Sequence, residues 1–278
     1  MIPKIIHFIW WQGEDQLPDK YKPNVIDWAR NNPSYELMFW DESKIRQLCH
    51  DHFPQYEENF NQSQHIMEQI DVSKFMMLEV YGGVYVDTDI ESRRPIPEDW
   101  IKYKAVFSEL YSEDICSSRF CLTSFVFSMG HSGKDLYNSG FYAGEPGTGI
   151  FGDILAESMK LRLSIPRWVG KQIYITYTAG PPFITIYIQK YFKTRSDIKI
   201  LTPTFIESCG THFHFSKNES DCLITEDTVG IHKHGLSWAS PVHFFVLKCL
   251  YHRKYLYSII LILVGIIGLI WWWYNHRK

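Results

Sequence analysis

Two aspartates, Asp87 and Asp89, stand one residue apart at the end of a short β-type run, Val84-Tyr85-Val86. In an extended chain residues i and i+2 point to one side, so both carboxylates are expected to face one ligand. Like charges held that close repel unless a cation lies between them. A hard divalent ion, Mn²⁺ or Mg²⁺, suits oxygen donors and also gathers phosphate oxygens. The pair therefore reads as a metal–diphosphate site at the C-terminal end of a strand, where open α/β sheets bind ligands.

The residues before this pair must position it. Val72, Phe75, Met76, Leu78, Val80 and Tyr81 recur at helical spacing, and the pattern predicts a helix over about 63–81. Gly82-Gly83 then stops it, because glycine takes the φ > 0 conformations that a helix end needs. Asp71 and Lys74 are spaced i and i+3 and share a face of that helix.

The chain has 278 residues, enough for one sizeable α/β domain. Its net charge is −3, which argues against nucleic acid as a partner. Aromatic residues make up 16%, suited to stacking surfaces, an aromatic core or a membrane belt. The six cysteines show no metal-binding spacing and read as buried free thiols, with Cys116–Cys121 and Cys209–Cys222 as the conceivable pairs. Pro3 to Trp11 reads as a buried first strand rather than a leader peptide. A helix ending near Arg30, a strand over Tyr35–Asp41 and a helix over about 42–53 with Asp41 as its cap follow. Later strands are expected at Ala105–Ser108, Phe125–Ser128 and Ile198–Leu201, with a loop over Gly144–Gly152.

The pattern D-x-x-[RK]…Y-G-G-[VI]-Y-x-D-x-D resembles the sugar-binding region of family 32 glycosyltransferases, which includes inositolphosphoceramide mannosyltransferases. The resemblance extends from about Ile2 to Trp238. It implies a GT-A-like, Rossmann-type nucleotide-sugar-binding domain over 1–240. By the same resemblance Asp71 and Lys74 grip the donor sugar and its phosphate, with lysine replacing the family's arginine. Lysine keeps the charge and loses the bidentate fork. Trp10 would stack on the base or pack in the core. Tyr85, Asp87 and Gly180, the last opening a helix with Pro181, would line the donor site. Ser237 and Trp238 would close over the diphosphate. His232, with His234 in reserve, would join Asp87 and Asp89 around the metal. Relatives carry an asparagine near the strand Phe125–Ser128, and no residue here is assigned that part.

Leu256 to Trp273 is nearly continuously apolar and is bracketed by His252-Arg253-Lys254 and His276-Arg277-Lys278. Such a run is long enough to cross a hydrocarbon core of about 30 Å, and Trp271–Trp273 sit where an aromatic belt would lie. The expected organisation is a juxtamembrane, interfacial segment over 241–254, a transmembrane helix over 255–274 and a short basic tail over 275–278. This gives a single-pass C-terminal anchor, in an endomembrane such as the Golgi if the cell is eukaryotic. The basic residues before the span lean toward a cytosolic catalytic domain. The sequons Asn61-Gln62-Ser63 and Asn218-Glu219-Ser220 point to the lumen, and the side stays open.

The expected activity is a metal-dependent, retaining transfer of a hexose from GDP-mannose or a UDP-sugar to a lipid or glycan acceptor, a sphingolipid being one candidate. Asp71, Lys74, Asp87 and Asp89 would carry it. Two other classes fit a D-x-D strand end: a phosphotransferase or phosphatase with Asp87 as nucleophile, and a catalytically silent sugar-binding membrane protein.

Overall fold

A computed structural model describes residues 1–111, 136–192, 194–209 and 218–235, together with Phe245, Tyr257 and Gly265. The expected strand at Phe125–Ser128, Ser237, Trp238 and the juxtamembrane, transmembrane and tail segments lie outside the described residues. Among the described residues no helix is long and apolar enough to cross a membrane.

Strand β1 (Ile5–Ile9) lies parallel to β2 (Glu36–Trp40) on one side and to β3 (Gly83–Val86) on the other. Strand β6 (Leu136–Gly144) runs antiparallel to β3 and to β5 (Ala105–Tyr111), and β7 (Ile198–Leu201) is parallel to β5. The result is a mixed six-stranded sheet, β2-β1-β3-β6-β5-β7. The α/β class is as expected, and the antiparallel β6 departs from a wholly parallel Rossmann order. Val84 and Val86 of β3 enter one apolar cluster with Ile6, Phe8 and Trp28, while Tyr85 enters another with Phe75, Tyr142 and Phe151. Both faces of the sheet are covered, which is why its central strands read as unbroken apolar runs.

Helix α1 (Lys22–Asn31) packs on the short strand β4 (Ile90–Ser92), where Trp28 Nε1 donates to the Ile90 carbonyl. Helix α2 (Glu42–His52) is capped as expected by Asp41, whose carboxylate accepts from Lys44 N at 2.9 Å. A helix α3 (Pro54–Asn61) precedes α4 (Ile66–Val80). The sequence reading stopped at Pro54, yet proline suits a helix's first position. Helix α4 is buried on nearly all sides, between the sheet and α5 (Ile150–Ser164). Its charged residues Glu68, Asp71 and Lys74 are buried with it. The expected loop over Gly144–Gly152 is shorter. Glu79 of α4 accepts from Gly149 N and Gly152 N, and so starts α5 at Ile150.

Gly82 (φ 63°) and Gly83 (φ 96°) end α4 and turn the chain into β3. The Gly82 carbonyl accepts from His7 Nε2 at 2.7 Å, and Trp40 Nε1 donates to His7 Nδ1 at 3.0 Å. Both ring nitrogens are used by the neutral imidazole, and burial lowers its pKa from 6.5 to about 4 against the opposing pull of the Gly82 carbonyl. An unfolded chain binds a proton at His7 below pH 6.5 and the folded one does so only near pH 4. This stabilising contribution is complete above pH 6.5 and is lost as pH falls toward 4, to a limit of about 3 kcal/mol. Denaturant titrations between pH 7 and 4.5 should therefore show a shallower pH slope for His7→Gln than for the parent. Equal slopes would remove His7 from the account.

The cysteine reading needs correction. Cys209 and Cys222 form a disulfide, with Cα atoms 4.1 Å apart. Burial alone suggested free thiols, but sequence spacing cannot report that the chain returns to itself across this loop. Cys49 is a buried free thiol, as expected.

Candidate active site

Asp87 and Asp89 converge by a turn rather than by the alternation of an extended strand. Strand β3 ends at Val86, and Ile90 N donates back to the Asp87 carbonyl at 3.0 Å. The chain leaves that turn as β4, which pairs antiparallel with β8 (Gly230–His232) with Ile90 opposite His232. That register delivers His232 beside Asp89, their Nε2 and Oδ1 atoms 3.2 Å apart. Two further bonds fix the crossing: Lys233 N donates to the Asp89 carbonyl, and Gly235 N to Asp89 Oδ2 at 2.6 Å.

These groups face a cavity of about 590 Å³. Asp71, Lys74, Tyr85, Asp87, Asp89, Gly180, His232 and His234 all line it, and Trp10 and Tyr21 form an aromatic wall with ring centroids 6.0 Å apart. Gly180 opens α7 (Pro181–Tyr191), which follows α6 (Lys171–Thr178). Every expected site residue among the described ones therefore reaches a single cleft. Trp11 also borders the cavity, while most of its ring packs in the core with Arg46 over it.

Lys74 reaches the cavity from within a buried network of polar groups. Its ammonium donates to Asp71 Oδ1 at 2.7 Å and to the Ser139 carbonyl at 3.0 Å, and lies 3.5 Å from Asp87 Oδ1 and 4.9 Å from the centre of the Tyr85 ring. Lys74 is 1% exposed and Asp71 4%. Burial opposes the charge on Lys74, yet Asp71 and Asp87 outweigh it and raise the ammonium's pKa. Burial raises the Asp71 carboxyl, with Lys74 pulling the other way. Tyr85 OH donates to Asp87 Oδ1 at 2.5 Å, and burial together with that carboxylate holds its own pKa well above the ordinary phenol value. Lys74 and Tyr85 thus aim Asp87 into the cavity.

Asp87, Asp89 and His232 each offer a donor atom within a 4.8 Å group. His232 Nδ1 lies 2.6 Å from Glu207 Oε1. Burial would raise the Glu207 carboxyl, but His232 and His234 hold it near 2. An ionised carboxylate accepts and cannot donate, so Nδ1 carries the hydrogen. The Nε2 edge of the ring then faces Asp89, as a metal-binding imidazole backed by a carboxylate requires. Burial disfavours charge on His232, and the Glu207 and Asp89 carboxylates overcome it, raising its pKa well above 6.5. For Asp89, burial is likewise outweighed by His232, which lowers its pKa. Two carboxylates and one such imidazole suit a Mn²⁺-type ion, and the residues present fit that group. Glu207, His232 and His234 also cluster. The two imidazoles stack with centroids 3.9 Å apart, and His234 Nε2 is 2.9 Å from Glu207 Oε2. Hydrogen bonding between His232 and Glu207 uses the Nδ1 edge, so the Asp87–Asp89 side is the better metal position.

Glu207 was missed in the sequence because Phe205-Ile206-Glu207-Ser208 carries no motif. Asn138 was missed because the asparagine was sought near Phe125–Ser128 rather than on β6. Its Nδ2 donates to Glu207 Oε1, and its Oδ1 accepts from Gly140 N at 2.7 Å. Gly140 itself makes room. A Cβ there would stand 2.7 Å from Asp87 Oδ2 and 3.1 Å from His232 Cε1. Because Gly140 is not among the positive-φ glycines, alanine would act through space and not backbone strain. Gly140→Ala should cut turnover by about 10²-fold by displacing Asp87 and His232, while the thermal midpoint moves by a few degrees. Parent-like turnover would show that the space is not needed.

Residues 18–107 match the family model described as the glycosyltransferase sugar-binding region containing a DXD motif. That segment holds Asp71, Lys74, Asp87 and Asp89, and the protein is a glycosyltransferase rather than a D-x-D phosphotransferase. It is 24% identical over 264 residues to an uncharacterized glycosyltransferase of Acanthamoeba polyphaga mimivirus, covering 94% of this chain and 92% of that one. It is 22% identical over 223 residues to inositol phosphoceramide mannosyltransferase 1 of Schizosaccharomyces pombe, covering 79% of this chain and 61% of the relative. Among solved structures, mouse xyloside xylosyltransferase 1 overlaps with a TM-score of 0.49 at 11% identity, over 86% of this chain and all of that one.

Proposed function

We propose that the protein is a membrane-anchored, metal-dependent retaining hexosyltransferase that uses a nucleotide sugar, GDP-mannose or a UDP-hexose, and a lipid or glycan acceptor. The observation that carries this reading is the convergence of Asp87, Asp89 and His232 in one cavity with Trp10 and Asp71. Asp87, Asp89 and His232 would hold the divalent ion. When bound, the ion supplies a Lewis acid that neutralises charge on the leaving diphosphate. Trp10 and Tyr21 offer an aromatic wall for the nucleotide base. Asp71, fixed by Lys74, orients sugar hydroxyls from the buried end of the cavity. The aspartates lining the cavity are all engaged: Asp71 with Lys74, Asp87 with Tyr85 and Asp89 with Gly235. Among the described residues each of these carboxylates is already held by a neighbour, which fits a front-face route for the retention that the family resemblance implies. Ser237 and Trp238 are assigned to closure over the diphosphate.

The apolar run Leu256–Trp273 supports the C-terminal anchor, and the mannosyltransferase similarity supports a sphingolipid-type acceptor. A catalytic domain on the lumenal side is favoured by the Cys209–Cys222 disulfide, which oxidising compartments sustain, and by the exposure of Asn61 and Asn218. The test uses the full chain in detergent or nanodiscs. Nucleotide release is measured from GDP-mannose, UDP-glucose and UDP-galactose, with Mn²⁺ and with a chelator. Metal-dependent release from one donor is expected, and release that ignores chelation from every donor would overturn the reading.

A further inference from the structure

We propose that Glu207 is a positioning residue for the metal set, fixing which edge of His232 faces Asp89 and closing a hydrogen-bonded ring that ties Asp87 to Asp89. This rests on the reading that Asp87, Asp89 and His232 hold a divalent ion.

The ring can be followed bond by bond. Asp87 N donates to the Gly140 carbonyl at 2.8 Å. Gly140 N donates to Asn138 Oδ1, and Asn138 Nδ2 donates to Glu207 Oε1. The same Glu207 oxygen accepts from His232 Nδ1, and the opposite edge of that ring reaches Asp89. Glu207 is 2% exposed, and its second oxygen lies against His234. A buried carboxylate is costly unless its neighbours supply hydrogens and positive charge. Here the fold places it where two imidazoles and an amide converge, and all of them border the cavity. Outer partners of this kind fix the tautomer and direction of a ligating histidine. The loop that bears Glu207 is held on both sides. Glu207 N donates to the Pro203 carbonyl, and the disulfide starts two residues later at Cys209.

The test is Mn²⁺ binding to the full chain in detergent, followed by calorimetry or by the electron paramagnetic resonance of free Mn²⁺. Parent, Glu207→Ala, Glu207→Gln and Asp89→Asn are compared, with circular dichroism and melting as folding controls. Glu207→Ala should weaken Mn²⁺ binding by about 10- to 100-fold. Glu207→Gln, whose amide oxygen still accepts from Nδ1, should lose less. If the alanine variant does not fold, the near-isosteric glutamine variant decides, and a measurable loss of affinity is required of it. A role confined to the fold would lower the melting temperature and leave Mn²⁺ affinity at the parent's value, and that result overturns the proposal. If the parent binds Mn²⁺, Asp89→Asn does not and both Glu207 variants match the parent, this proposal alone fails. A parent that binds no Mn²⁺ removes the metal reading as well.

Discussion

Replacing Asp89 by asparagine should lower Mn²⁺-dependent nucleotide release by about 10³-fold or more, equivalent to roughly 4 kcal/mol of transition-state stabilisation. The substitution keeps the shape and leaves an oxygen to accept from Gly235 N, so the turn and the β4–β8 crossing survive. What disappears is the negative charge, 3.2 Å from His232 and inside the donor group shared with Asp87. Asp87→Asn should also impair release, but differently. Its Oδ1 atom receives Tyr85 OH and lies near Lys74, so neutralising it also disturbs that buried network. Donor hydrolysis at saturating Mn²⁺, with circular dichroism as the control for folding, checks both. Full activity in Asp89→Asn would leave the metal proposal without its main ligand.

The second large effect concerns stability. Lys74→Met should destabilise the fold by about 3–5 kcal/mol, because it strands Asp71 as a buried charge without its partner. Asp87 would remain nearby, with one cation fewer. For a chain of this size the thermal midpoint should fall on the order of 10 °C. The double variant Asp71→Asn with Lys74→Met removes the stranded charge and should recover part of the loss. If the double variant melts as low as Lys74→Met alone, lost packing rather than an orphaned carboxylate is responsible. Activity should stay low in both, since Lys74 also holds Asp87 in place.

Local patterns made much of this legible. The helix, its glycine stop, the apolar strand and the two aspartates occupy one short stretch, and each follows from its neighbours. Asp41 capping α2 and Pro181 opening α7 are likewise decided within a few residues. Resemblance supplied His232. The ladder that pairs β4 with β8 explains its presence, since Ile90 and His232 are opposite one another although far apart along the chain. Asn138 and Glu207 were not legible. Each sits in a stretch without a motif, and its meaning comes only from partners on other elements.

By itself the sequence determined the apolar strands, the α4-to-β3 turn at Gly82-Gly83 and the presence of paired carboxylates at a strand end, because helix stops and strand patterns are short-range matters of φ and burial. Tertiary structure alone decided that Asp87 and Asp89 meet through a turn, that Lys74 serves as a buried counter-ion and that Cys209 pairs with Cys222. It also decided that Glu207 stands behind His232. Each depends on which distant segments share the interior, and there the loss of water makes a charge's nearest partner, rather than its place in the chain, set what it does.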